Sequence, residues 1–66
     1  MMKPKIEVGD TIRNPENGLV GVLKKEEDRE NYYVEGTYGN NAKWQTAGGS
    51  LKDYRKWDLM RKAPLE

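Results

Sequence analysis

Apolar residues come in short bursts along this chain, and each burst alternates with polar positions or stops at a turn signal. Ile6 and Val8 share one face of a strand candidate over Lys5 to Val8. Gly9-Asp10 breaks or bulges it, and Thr11-Ile12-Arg13 resumes it. Asn14-Pro15-Glu16-Asn17-Gly18 is a strong turn, because proline presets φ and Asn-Gly accepts the positive φ of a tight hairpin. Leu19 to Lys24 is the second strand. Its alternation puts Val20 and Val22 on one face and Leu19, Gly21 and Leu23 on the other. The seven consecutive charges from Lys24 to Glu30 are too short and too uniformly polar for a packed helix, and predict a solvated hairpin tip. Asn31 to Glu35 is the third strand and Ala42 to Thr46, centred on Trp44, the fourth. Gly36 to Asn41 reads as a flexible polar loop between them.

The C-terminal stretch carries two signals. Ser50 suits a helix N-cap, with Asp53 completing an acidic version of the capping box, and Leu51 and Tyr54 could face one core. Beyond them Trp57 and Leu59 alternate with Asp58 and Met60, which is a strand period. One helical turn over Ser50 to Tyr54 followed by a strand near Arg55 to Met60 accommodates both. Its rival is a single helix from Leu51 to Lys62. The turn-plus-strand reading gives an all-β chain of five short strands with a short helical turn before the last. An isolated hairpin is marginal in water, so the expected solution is a small closed barrel with one shared interior. That interior is expected to hold Ile6, Val8, Ile12, Val20, Val22, Val34, Trp44, Leu51 and Leu59.

Length and composition narrow this further. Sixty-six residues allow one small domain, placed at 1–64, with Leu65-Glu66 read as the junction left before a purification tag. Hydrophobic and charged residues each make up 35% of the chain, and the formal net charge is +1. That balance argues against both a disordered polyelectrolyte and a strongly basic nucleic-acid clamp. No apolar run approaches the roughly 18 residues of a membrane span, and no apolar segment follows Met1-Met2-Lys3-Pro4-Lys5. A cytoplasmic protein without membrane contact is expected.

The chain has no cysteine and no histidine. Disulfides, zinc fingers, Cys nucleophiles and His bases are therefore excluded. A Ser or Thr nucleophile would need Lys or a carboxylate as its base, and nothing in the sequence places such a pair together. The carboxylate pairs Asp53 with Asp58 and Asp10 with Glu35 are better explained by a cap, a turn and surface charge. The glycines lack phosphate-loop spacing, and Glu26-Glu27-Asp28 lacks the alternating ligands of a calcium loop. No catalysis, cofactor or metal is expected.

Val8-Gly9-Asp10-Thr11-Ile12-Arg13 followed by Gly18-Leu19-Val20-Gly21-Val22-Leu23 resembles the KOW pattern of transcription-elongation and ribosomal proteins. There a Gly-Asp precedes one strand and Gly-x-x-Gly-x-Val opens the next, a spacing held by Gly18, Gly21 and Val22. The five-strand layout with a turn before the last strand is likewise similar to SH3-like small barrels. The KOW match covers about 18 residues of the 66. It departs from nucleic-acid-binding members in its acidic turns, with Glu16 in one and Glu26, Glu27, Asp28 and Glu30 in the next. The resemblance implies an SH3-like barrel within a larger bacterial or phage nucleoprotein assembly.

Two kinds of binding fit the side chains. Six aromatics, all Tyr or Trp, suit partly exposed protein contacts. Tyr32 and Tyr38, with Glu27 supplying charge, are the candidate protein-binding residues, and strand pairing could give a weak homodimer rather than a monomer. The charge is also unevenly placed, at −2 over residues 1–36 and +3 over residues 37–66. Lys52, Arg55, Lys56, Arg61 and Lys62 surround Tyr54 and Trp57, and Lys43 lies nearby in sequence. Basic groups interleaved with aromatics can track a phosphate backbone and stack bases, so weak, salt-sensitive RNA or DNA binding is the alternative.

Overall fold

The computed structural model describes residues 5–64. The expected tag junction, Leu65-Glu66, and residues 1–4 lie outside them. Five antiparallel strands form one sheet: β1 (Thr11–Arg13), β2 (Val20–Lys25), β3 (Tyr32–Thr37), β4 (Lys43–Gln45) and β5 (Asp58–Arg61). One short helical turn, α1 (Leu51–Tyr54), precedes β5. The strand order is β4-β3-β2-β1-β5.

The mainly-β architecture and the turn before the last strand are those expected, but three details differ. The sheet is open rather than closed into a barrel, with β4 and β5 as its edges. These edge strands are only three and four residues long, and no ladder joins them among the described residues. The stretch expected as a first strand, Lys5 to Val8, pairs with nothing regular. Gly9 turns the chain at φ +96°, and only Thr11 to Arg13 enters the sheet. The last strand starts at Asp58 rather than near Arg55, because Arg55 caps α1 and Trp57 N–H still donates to the Tyr54 carbonyl at 3.0 Å.

Register decides which side of the sheet is the core. Leu23 opposes Val34, Ile12 opposes both Gly21 and Leu59, and Gly36 opposes Trp44. All point to the inner face. Ile6, Ile12, Leu23, Val34 and Tyr54 form the buried core, flanked by half-buried Tyr32, Trp44, Leu51, Trp57 and Leu59. The expectation for β2 had the faces reversed. Val20 is 42% exposed and Val22 lies beside it on the outer face, whereas Leu23 is fully buried. Val8, expected inside, is 47% exposed because the Gly9 turn carries it away from Ile6. A strand alternates with period two, so one misjudged face inverts every residue on it.

The turns explain the pairing. In the first hairpin only Gly18 takes a positive φ, +77°. The turn is fixed by Gly18 N–H to the Asn14 carbonyl (2.8 Å) and by the side-chain oxygens of Asn14 and Asn17, which accept from Glu16 and Leu19 N–H. The charged β2–β3 tip is exposed from Glu27 to Glu30, as a solvated tip should be. Gly36 and Thr37, expected in a flexible loop, belong to β3. The connection that remains is a tight turn, closed by Tyr38 N–H to the Ala42 carbonyl at 2.8 Å, with Asn41 at φ +69°. Ser50 caps α1 by accepting from Lys52 N–H at 3.1 Å, while Asp53 N–H bonds the Ser50 carbonyl.

Candidate functional site

The outer face of β2, β3 and β4 carries a groove of about 390 Å³. Strand alternation builds it. Val22 opposes Glu35, Glu35 opposes Gln45, and Thr37 opposes Lys43, so all five point to the side away from the core. Lys24 completes the lining, with Gly36 and Trp44 contributing between the rows. Lys24 Nζ lies 3.6 Å from Glu35 Oε1, and both side chains are nearly half exposed. A surface pair of this kind contributes only about 0–1 kcal/mol, so it orders the groove wall more than it stabilises the fold. Lys43 is exposed and its side chain has no ion pair or hydrogen bond among the described residues. The groove therefore holds one neutralised cation and one open one.

Outside the groove lining, just past the end of β3, Tyr38 is 46% exposed and its ring centroid lies 6.4 Å from that of Trp44. Trp44 is anchored beneath. Its indole fills space that two glycines leave empty: a Cβ at Gly36 would come 2.8 Å from Trp44 Cζ2, and one at Gly21 would come 3.0 Å from Cη2. The indole N–H is buried without a hydrogen-bond partner among the described residues. Tyr38 thus rests on an aromatic that cannot easily shift.

The three candidate protein-binding residues do not converge. Glu27 sits at the β2–β3 tip and Tyr38 at the β3–β4 turn, at opposite ends of β3, about 20 Å apart at ordinary strand rise. Tyr32 is half buried against the core, and its backbone pairs with Gly49. None of the three lines the groove. The groove residues Val22, Lys24, Glu35, Thr37 and Gln45 were not singled out from sequence. Their signal was present in the alternation of β2 and β3, but it becomes readable only once the inner face is known.

The basic C-terminal segment is split by the fold. Lys52, Arg55 and Lys56 are exposed on α1 and the turn after it, and Arg61 is exposed on β5. Tyr54 is 6% exposed and presents no ring face to solvent. Its hydroxyl donates to the Ala47 carbonyl at 3.0 Å and lies 2.7 Å from Thr46 Oγ1. Trp57 is half buried, packed edge-on against Tyr54 with centroids 5.4 Å apart. Lys43 stands across the molecule's outer groove on β4, in a different element from the rest of the basic set.

Lys62 is held elsewhere. Its ammonium donates to Asp10 Oδ2 at 2.8 Å and to the Lys5 carbonyl at 2.9 Å. Asp10 is 1% exposed and also accepts from Glu7 N–H and Ala63 N–H, each at 2.8 Å. Burial pushes the Asp10 carboxyl up. The Lys62 hydrogen bond, the two backbone donors and the Lys62 charge outweigh it, and the net result is a pKa below the ordinary carboxylate value. This cluster ties the turn before β1 to the segment after β5.

No group of three or more acidic, His or Cys side chains that could hold a metal comes together among the described residues. None of their helices is long and apolar enough to cross a membrane. Compared with family models, curated proteins and solved structures, the chain matches none.

Proposed function

We propose that this chain is a non-enzymatic interaction module that binds protein through the outer groove of β2, β3 and β4. The observation that carries the reading is the composition of that groove. Val22 forms an apolar floor, Lys43 stands open at the rim, and Lys24, Glu35, Thr37 and Gln45 supply polar walls. A concave surface with an apolar floor and polar walls on a sheet edge suits an extended peptide segment. The strand order and the helical turn before β5 are compatible with an SH3-like fold, and Gly18, Gly21 and Val22 keep the KOW-like spacing. Both support a place inside a larger bacterial or phage nucleoprotein assembly.

Nucleic-acid binding is the second reading, favoured by the exposure of Lys52, Arg55 and Lys56 beside half-buried Trp57. It is the weaker of the two, since Tyr54 is buried and Lys62 is engaged with Asp10. A selection from a random peptide library followed by NMR titration separates the readings. The protein-binding reading expects enriched peptides that move the amides of Val22, Lys24, Glu35 and Thr37. It is abandoned if the library yields no binder while a short oligonucleotide moves Lys52 to Trp57.

A further inference from the structure

The free edge of β4 adjoins the groove, and the register shows what it offers. Tyr38 N–H bonds the Ala42 carbonyl and Thr46 N–H bonds the Val34 carbonyl, both at the ends of the β3–β4 ladder. Hydrogen-bonded pairs alternate with non-bonded ones in an antiparallel ladder, so Gly36 and Trp44 form the bonded pair between these two. Lys43 and Gln45 then fall in non-bonded pairs, and their N–H and C=O groups point away from β3. Neither makes any other backbone bond among the described residues. Their side chains line the groove. One short edge therefore presents a row of free backbone groups and, on the same residues, the rim of the candidate site.

We propose that β4 is a docking edge, on which an extended, acidic segment of a partner protein adds as a sixth strand. The inference rests on the protein-binding reading above and specifies its geometry. Backbone groups of Lys43 and Gln45 pair with the incoming strand, and a carboxylate one position along it meets Lys43, the groove cation with no partner among the described residues. Charge complementarity selects this occupant over a second copy of the chain. A copy's β4, Lys-Trp-Gln, would bring no carboxylate to Lys43, and the one carboxylate on its other edge, Asp58 of β5, is already paired with Arg13 at 3.7 Å. Strand addition also suits the small size of the groove, because main-chain bonds supply affinity that so few side chains could not. The edge is protected against indiscriminate pairing by its three-residue length and by Lys43 itself, two usual devices of edge strands.

The test uses the intact chain and the peptides recovered from the random library. Free, the Lys43 and Gln45 amides should exchange with solvent quickly, and Trp44 slowly. With peptide bound, Lys43 and Gln45 exchange should slow by about tenfold or more. The recovered peptides should be enriched in Asp or Glu, and Lys43→Glu should weaken them by about fivefold. Gln45→Pro removes an outward N–H that an edge strand can spare, so the chain should stay folded and lose the peptide. If that variant unfolds, the exchange measurement on the unaltered chain still decides. The docking edge is overturned if peptides bind while the Lys43 and Gln45 amides remain unprotected, which would leave the groove reading standing. It is also overturned if the two amides become protected with rising concentration of the chain alone, since that identifies a second copy as the occupant. Failure of every peptide to bind removes both proposals together.

Discussion

Trp44 sits directly opposite Gly36 in the β3–β4 ladder, and its indole occupies the space where a side chain at Gly36 would be. A Cβ there would lie 2.8 Å from both Trp44 Cζ2 and the Val20 carbonyl oxygen. Neither can retreat, because one belongs to a ring packed against the core and the other to the backbone of β2. Gly36→Ala is therefore expected to cost about 1–3 kcal/mol by overpacking. Urea unfolding gives the magnitude, and tryptophan emission should shift as the indole is displaced. An unchanged midpoint and spectrum would mean that the indole does not fill the glycine slot.

Asp10 and Lys62 hold the two ends of the described chain together, and this contact has a pH signature. The native pKa of Asp10 lies below its ordinary value of 3.8, so the unfolded chain takes up a proton first as pH falls. The stabilisation is complete above the unfolded pKa and is lost as pH drops through the lower native one. Asp10→Asn removes the charge but leaves an amide in the same buried site, and is expected to cost about 2–3 kcal/mol near neutral pH. The gap between the native chain and this variant should narrow on acidification below about pH 4, as the unfolded carboxyl titrates. A gap constant from neutral pH to about pH 2 would show that Asp10 gains nothing from its charge.

Thr46 and Tyr54 form a directed chain of hydrogen bonds across the core. Val34 N–H donates to Thr46 Oγ1 at 2.9 Å, and the Tyr54 hydroxyl donates to the Ala47 carbonyl. Thr46 must then be the donor in its 2.7 Å contact with Tyr54. The hydroxyl replaces a missing ladder partner for Val34 and fastens α1 to the end of β4. Thr46→Val keeps the shape and orphans the Val34 N–H, which should cost about 1–3 kcal/mol. Tyr54→Phe should cost about 1 kcal/mol, since Thr46 can still accept from Val34. Thermal melts of the two variants should rank in that order, and the reverse ranking would refute the donor assignment.

How much of this was legible in sequence depended on whether a signal was local. Asn14 to Gly18 names its own turn, and Ser50 names its own cap, because the partners lie within a few residues. The face of β2 was not legible locally. Val20-Val22 and Gly21-Leu23 are both acceptable inward sets until the partner strand is known. What selects the second set is Trp44, more than twenty residues away, whose indole needs Gly21 and Gly36 on its own side of the sheet. The groove stayed hidden for the same reason, since its lining is the complement of that choice. The Tyr54 misreading was similar: a tyrosine among five basic residues looks like a stacking platform, and only the distant Thr46 and Ala47 show where its hydroxyl goes.

The surviving basic surface makes a quantitative prediction. With Lys62 bound to Asp10 and Tyr54 buried, Lys52, Arg55 and Lys56 are left as one exposed group around α1. Three cations on a single strand give a salt slope no steeper than about −2. A single-stranded oligonucleotide at low salt should thus move only these amides and Trp57, and the shifts should vanish by about 0.15 M salt. Peptide binding at the groove should survive the same salt, because its contacts are mainly backbone bonds and Val22. Replacing all three basic residues with Glu should abolish the oligonucleotide shifts and leave the peptide affinity within about twofold. A steeper salt slope, or loss of peptide binding in that triple variant, would join the two surfaces into one site and favour a nucleic-acid role for the whole face.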